Sequence, residues 1–268
     1  MTKIRKKNGK IFAIVSLLVC FCLSLTLADL FSNVITIKAF NNISTTGKQT
    51  GYNFYAISLF DASSESTAKE QVANVIKQGG AGFVWQKENK FYVLASAYLE
   101  ENDAKMVKSN LEENGTSASV VKIHIPEIAI SGTFSSLENT TLNSALKCFK
   151  TTYEKLYDTS VSLDTNLKTE SESKLEVNEI KNDISKIEVA FSSVFDSKLT
   201  TNLLQIKIAI TSLLTYLEDL TKFESNGAQP FSYKIKNIYL QSLYLNYTLC
   251  KDMIWFWAYY RLKFLYNY

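Results

Sequence analysis

Between residues 53 and 126 the apolar positions switch repeatedly from a period of two to a period near 3.6, the signatures of strand and helix. NFYAISLF, from Asn53 to Phe60, reads as a strand. Ser63 or Ser64 then stands where a helix N-cap is needed, and Ala68, Val72, Val75 and Ile76 recur on one helical face until Gly79-Gly80 stops it. GFVWQ (82–86) is a second strand, and a tight turn over Lys87-Glu88-Asn89-Lys90 leads into a third from Phe91 to Tyr98. Asn102 is placed to cap a second helix carrying Ala104, Val107 and Leu111 on one face. Asn114-Gly115 ends it, and SASVVKIHI forms a last strand before Pro126. The predicted order is β-α-β-β-α-β, the split ferredoxin-like arrangement. Phe60 and Tyr98 each close a strand ahead of a helix and lie 38 residues apart, so the two halves read as a duplication.

After a link over 127–135 the pattern is helical throughout. Leu142, Leu146, Phe149, Tyr153 and Leu156 alternate by four and three, as do Val177, Ile180, Ile184, Ile187, Phe191 and Val194, and then Leu199, Leu203, Ile206, Ile210, Leu213, Leu217 and Leu220. Such a seam predicts an antiparallel bundle over 136–268, with Asp196 as a cap between its second and third helices. Gly227 and Pro230 precede a fourth helix, rich in tyrosine and apolar nearly all round at WFWAYY. A helix apolar on every side wants neighbours on every side, which makes it the central helix of the bundle or part of a dimer interface. The sharper alternative is that its aromatic end docks on a membrane interface or a division protein. Lys251, Asp252, Arg261 and Lys263 argue against its crossing a membrane.

The N-terminus changes the picture. Lys3, Arg5, Lys6, Lys7 and Lys10 precede an apolar run whose only charge up to Leu30 is Asp29. The expectation is a cytoplasmic tail over 1–10, a transmembrane signal-anchor in the lipid bilayer over 11–31, a polar linker over 32–51, and everything beyond it outside the cell membrane. A cleaved signal peptide ending near Ala28 is the alternative. The expected fold class is therefore α+β: an N-terminal transmembrane helix, a ferredoxin-like sheet domain over 52–126, and an all-α antiparallel bundle.

Charge and candidate chemistry narrow the function. The formal net charge is +3, to which the five N-terminal cations contribute +5, leaving −2 for the rest. No basic cluster follows the anchor, so nucleic acid is not an expected partner. His124 is the chain's one histidine and alternates with Ile123 and Ile125 as a sheet-surface residue; it composes neither a zinc site nor a triad. No cofactor is expected and the chain does not read as an enzyme. Glu100, Glu101 and Asp103 suit the start of a helix, where the dipole favours carboxylates. Cys148 and Cys250 are either a disulfide or two buried thiols. The Asn-x-Ser/Thr triplets, Asn246 among them, read as coincidence in a chain so rich in these residues.

FYAISLF and FYVLASAY, the second followed by LEENDAKMV, resemble the two halves of a SPOR (sporulation-related repeat) domain over 52–126. The resemblance implies binding to peptidoglycan glycan strands, in a setting of bacterial cell division, sporulation or envelope remodelling, with division or sporulation proteins as further partners of the helical domain. Placed on the family's pattern, Ala56 stands for a usual Gln, Ser58 and Ser96 for two Gly, and Ala97 for a Pro. Strand alternation puts Ala56 and Ser58 on one face of the first strand and Tyr92, Leu94 and Ser96 on one face of the third, with Trp85 of unassigned parity. These six residues are the candidate glycan-binding site. The competing expectation is a structural or interaction module in which the same side chains pack against the C-terminal helices.

Overall fold

The computed structural model describes residues 47–130, 132–226 and 229–265, with side chains through 254. By its internal contacts the chain divides into one unit of residues 1–45 with 132–137 and a second holding 46–131 and 138–268. Of the first, only 132–137 are described, an extended stretch leading into the start of a helix.

The second unit is built on a four-stranded antiparallel sheet. Its strands are β2 (Tyr52–Ala62), β3 (Phe83–Lys87), β4 (Lys90–Tyr98) and β5 (Ser119–Ile125), in the order β3-β4-β2-β5. Helices α1 (Glu65–Lys77) and α2 (Glu101–Glu113) connect them, which is the expected βαββαβ topology. Ser64 caps α1, accepting a hydrogen bond from the Thr67 amide. The expected Asn102 cap gives way to Glu100, whose extended backbone opens α2 without a side-chain bond. Strands β1 (Gly47–Gln49) and β6 (Ile128–Ile130), on either side of the sheet domain, pair with each other as a small ribbon.

Two bulges interrupt the β2–β4 ladder. Ile57 pairs with Ser96, Ser58 with Leu94 and Phe60 with Val93, so Ala95 and Leu59 are each an extra residue. Gly80 packs at the first bulge: a Cβ there would lie 2.9 Å from the Ala95 Cα, so only glycine fits. The adjacent Ala81 amide donates to the Ala95 carbonyl at 2.8 Å.

One face of the sheet is covered by α1 and α2. Ile57, Val93 and Ala95 are buried there with Ala68, Val75 and Ala104. The other face lies under the C-terminal helices. These are α3 (Ser136–Asp164), α4 (Glu170–Phe195), α5 (Thr201–Thr221) and α6 (Phe231–Leu265). A Thr169–Glu172 capping box starts α4, and Thr200 caps α5. Asp196 is the C-cap of α4, as expected, and also begins a short 3₁₀ turn (Asp196–Lys198), after which Leu199 stays 37 % exposed. Elsewhere in the seam Val177, Ile180, Ile184, Leu203, Ile206, Ile210, Leu213, Leu217 and Leu220 are buried, whereas Ile187 and Val194 are half-buried and Phe195 is buried in place of Val194. Helix α6 packs against α5 and against β3, β4, β5 and β6; the side chains of its WFWAYY stretch lie outside those described.

One expectation is corrected. Among the described residues no helix is long and apolar enough to cross a membrane, so the transmembrane helix drops out of the fold class. The physical reason is visible in the long helices, in which one apolar stripe is buried and charged residues recur among the exposed positions along the length. The expected span, 11–31, itself lies outside the described residues.

Candidate functional site

The candidate glycan face begins with pairing geometry. Trp85 lies opposite Tyr92, Phe83 opposite Leu94, and Leu94 opposite Ser58, so all of these share a face; Phe54 and Ala56 join them by alternation along β2. This resolves the parity of Trp85. Ser96 does not join them. The bulge at Ala95 shifts the alternation by one residue and brings Ser96 beside Ile57 on the α1/α2 side, where its hydroxyl donates to the Tyr98 hydroxyl at 3.2 Å.

The face is closed. Ala56, Trp85 and Leu94 are each 0 % exposed and Ser58 is 2 % exposed. Tyr92, towards the far end of β4, is half-buried. Trp85 is boxed by aromatic rings, with centroids 5.4 Å to Phe54, 6.2 Å to Phe83, 5.0 Å to Tyr244 and 5.3 Å to Tyr247. The last two rings come from α6 and stand where a sugar ring would need to stack. The Ser58 hydroxyl is turned inward to the carbonyls of Phe60 (2.7 Å) and Val93 (3.3 Å), which leaves no donor facing outward.

Polar groups hold the helices to the sheet. β3 stops opposite Leu94, so the backbone of β4 beyond it has no partner strand on that side. Tyr153 of α3 supplies the missing bond, its hydroxyl donating to the Ala97 carbonyl at 2.8 Å, and its ring meets that of Tyr239 of α6 edge to face at 5.4 Å. Lys236 and Asn237 of α6 donate to the carbonyls of Gly79 (2.9 Å) and Ala81 (3.0 Å) in the turn before β3. Asn246, 0 % exposed, donates to the Tyr52 hydroxyl at 3.0 Å and accepts from the Gln49 side chain at 3.2 Å. Its burial rules it out as a glycosylation acceptor in the fold.

Burial sets the electrostatics here. It raises the pKa values of Tyr153, Tyr239 and Tyr52 well above the ordinary tyrosine value; the bond from Asn246 partly offsets this at Tyr52. Cys148 and Cys250 are free, buried thiols rather than a disulfide, and burial pushes Cys250 up to about 12. Neither is poised as a nucleophile. His124 is exposed and its Nδ1 lies 2.9 Å from the Asn53 side-chain oxygen. Among the described residues no group of three or more His, Cys, Asp or Glu side chains could hold a metal ion.

Sequence reasoning missed Tyr153, Tyr239, Tyr244 and Asn246 as the residues that close the face. Only Asn246 carried a signal: a polar side chain inside LYLNYTLC, apolar on both sides, needs a buried partner.

No family model and no curated protein matches the chain. Among solved structures, the solution structure of the peptidoglycan binding domain of the B. subtilis cell wall lytic enzyme CwlC is similar to it at 16 % identity, covering 28 % of this chain and 95 % of that domain, with a TM-score of 0.24.

Proposed function

We propose that this chain is a non-enzymatic interaction protein of the bacterial envelope, acting outside the cytoplasm, in which a SPOR-like sheet domain serves as the platform for a helical bundle and not as an open glycan reader. One observation carries the reading: the face on which Ala56, Ser58, Trp85 and Leu94 converge is buried beneath α3 and α6. A glycan reaching it must first displace Tyr244 and Tyr247 and break the bonds made by Tyr153, Lys236, Asn237 and Asn246. Buried polar groups left unpaired cost about 1–3 kcal/mol each, so that displacement is expensive. The outward sides of α4 and α5, where Leu175, Val189, Leu204 and Ile208 are exposed, are the surface left for partners.

Incubating the full chain with intact and amidase-stripped cell-wall sacculi tests the reading. The expected result is no retention on either. Selective retention on stripped sacculi that is lost on Tyr92→Ala, a half-buried position at the margin of the face, overturns it and restores the sheet as a peptidoglycan reader.

A further inference from the structure

A cleft of about 360 Å³ opens where the end of β4 and the start of α2 meet the middle of α3. Its walls are aromatic. Tyr98 and Tyr157 meet edge to face at 5.8 Å, and Tyr153 stacks on Tyr157 at 6.0 Å. Its polar groups are all of one sign: Glu100 and Asp103 on the sheet-domain side, Glu154 and Asp158 on α3, with no cationic side chain in the lining.

Ordinary structural roles account for only part of this. Glu100 and Asp103 suit the N-terminus of α2. Glu154 and Asp158 sit in the interior of a 29-residue helix, where no helix end explains them, and their i,i+4 spacing makes them a repelling pair. Nearby lysines neutralise at most one of the four. Lys155 bonds Asp183 of α4 at 2.8 Å and Lys105 bonds Glu101 at 2.7 Å, while Lys150, outside the lining, pairs with Glu154 at 3.5 Å and lies over the Tyr52 ring at 5.1 Å. Asp103 and Asp158, from opposite walls, both act on Tyr157, whose hydroxyl is held up to about 12, chiefly by burial.

We infer that this cleft binds an organic cation, the lysine ammonium or arginine guanidinium of a partner protein, between the tyrosine rings and the four carboxylates. Ring faces attract a cation through their quadrupole, and opposed carboxylates supply the hydrogen-bond acceptors an ammonium or guanidinium requires. An anion is repelled by the four carboxylates, and a neutral ligand forgoes the charge attraction that a cation gains from them. The site is independent of whether the covered sheet face reads glycan.

The test uses the full chain, titrated with the capped tripeptides Gly-Lys-Gly and Gly-Arg-Gly and with the neutral isostere Gly-norleucine-Gly, followed by tyrosine fluorescence and chemical-shift perturbation. Saturable binding of a cationic peptide and none of the isostere is expected. Asp103→Asn with Asp158→Asn, at exposed positions that do not endanger the fold, should weaken it by about tenfold. Asp158→Asn should at the same time leave the melting temperature of the free protein unchanged or raised, because it relieves the pair with Glu154. Equal response to the isostere, no response to either cationic peptide, or binding unaffected by the double substitution overturns the proposal.

Discussion

The two faces of one sheet are held by different chemistry. Under α1 and α2 the contacts are small and aliphatic: Ala68, Val75 and Ala104 meet Ile57, Val93 and Ala95, all within the βαββαβ segment. Under α3 and α6 they are aromatic and polar, and the bonds join residues far apart in the chain, from Ala97 to Tyr153 and from Gln49 to Asn246. The first face is the sheet domain completing its own core. The second is an interface between two segments, resembling a partner surface in its tyrosines and its bonded amides. A sheet with one self-sufficient face has the other free to acquire a ligand or a second layer of structure, and in this chain that face holds structure.

The comparison can be broken most severely by alkali. Tyr153 and Tyr239 are both buried neutral in the second face, with folded-state pKa values above the unfolded value of 10.0. The stability they lend is complete below that value and is lost as pH rises beyond it toward their folded values, by about 1.4 kcal/mol per tyrosine and pH unit. Of the 15 tyrosines, those that are solvent-facing ionise first, and the last fraction of the tyrosinate absorbance should appear only as helical circular dichroism is lost; complete ionisation with the helices intact would mean that Tyr153 and Tyr239 are not buried as described.

Removing the centre of the aromatic box comes next. Trp85→Ala should cost about 3–5 kcal/mol, and Ile57→Ala on the opposite face about 2–5. Native-state hydrogen exchange separates the two: the first should raise exchange in α6 above that in α1, and the second should do the reverse. A common pattern for both variants would show the sheet and bundle opening as a single unit and erase the distinction between the faces.

The smallest change is the most specific. Tyr153→Phe should cost about 1–3 kcal/mol, since it leaves the buried Ala97 carbonyl without its hydroxyl donor. Tyr239→Phe, which keeps the edge-to-face ring contact with Tyr153 and leaves the Ala97 carbonyl bonded, should cost less. A larger loss for Tyr239→Phe than for Tyr153→Phe in urea unfolding would show that the bond to the Ala97 carbonyl is not what ties α3 to the sheet.

The sheet domain was legible because its signals are local. Alternation in NFYAISLF, the Ser64 cap and the Gly79-Gly80 stop specify strand, helix and turn without reference to the rest of the chain. The bundle seam was legible for the same reason, since a repeat of three and four names its own buried face. The site was legible only in part. Alternation placed Ala56, Ser58, Tyr92 and Leu94 together correctly but failed at Ser96, because a bulge at Ala95 leaves no mark that distinguishes LASAY from a regular strand.

What the sequence by itself determined is thus the identity and order of β2 to β5 and of the helices, since period, caps and breakers act over a few residues, whereas β1 and β6 fall in stretches that read as linkers. What only the tertiary structure decided is the fate of the open face. Whether Trp85 greets a ligand or the tyrosines of α6 depends on how a helix more than 140 residues later lies across the sheet. That placement comes from summed apolar burial and a few long-range hydrogen bonds, neither of which has a period to read.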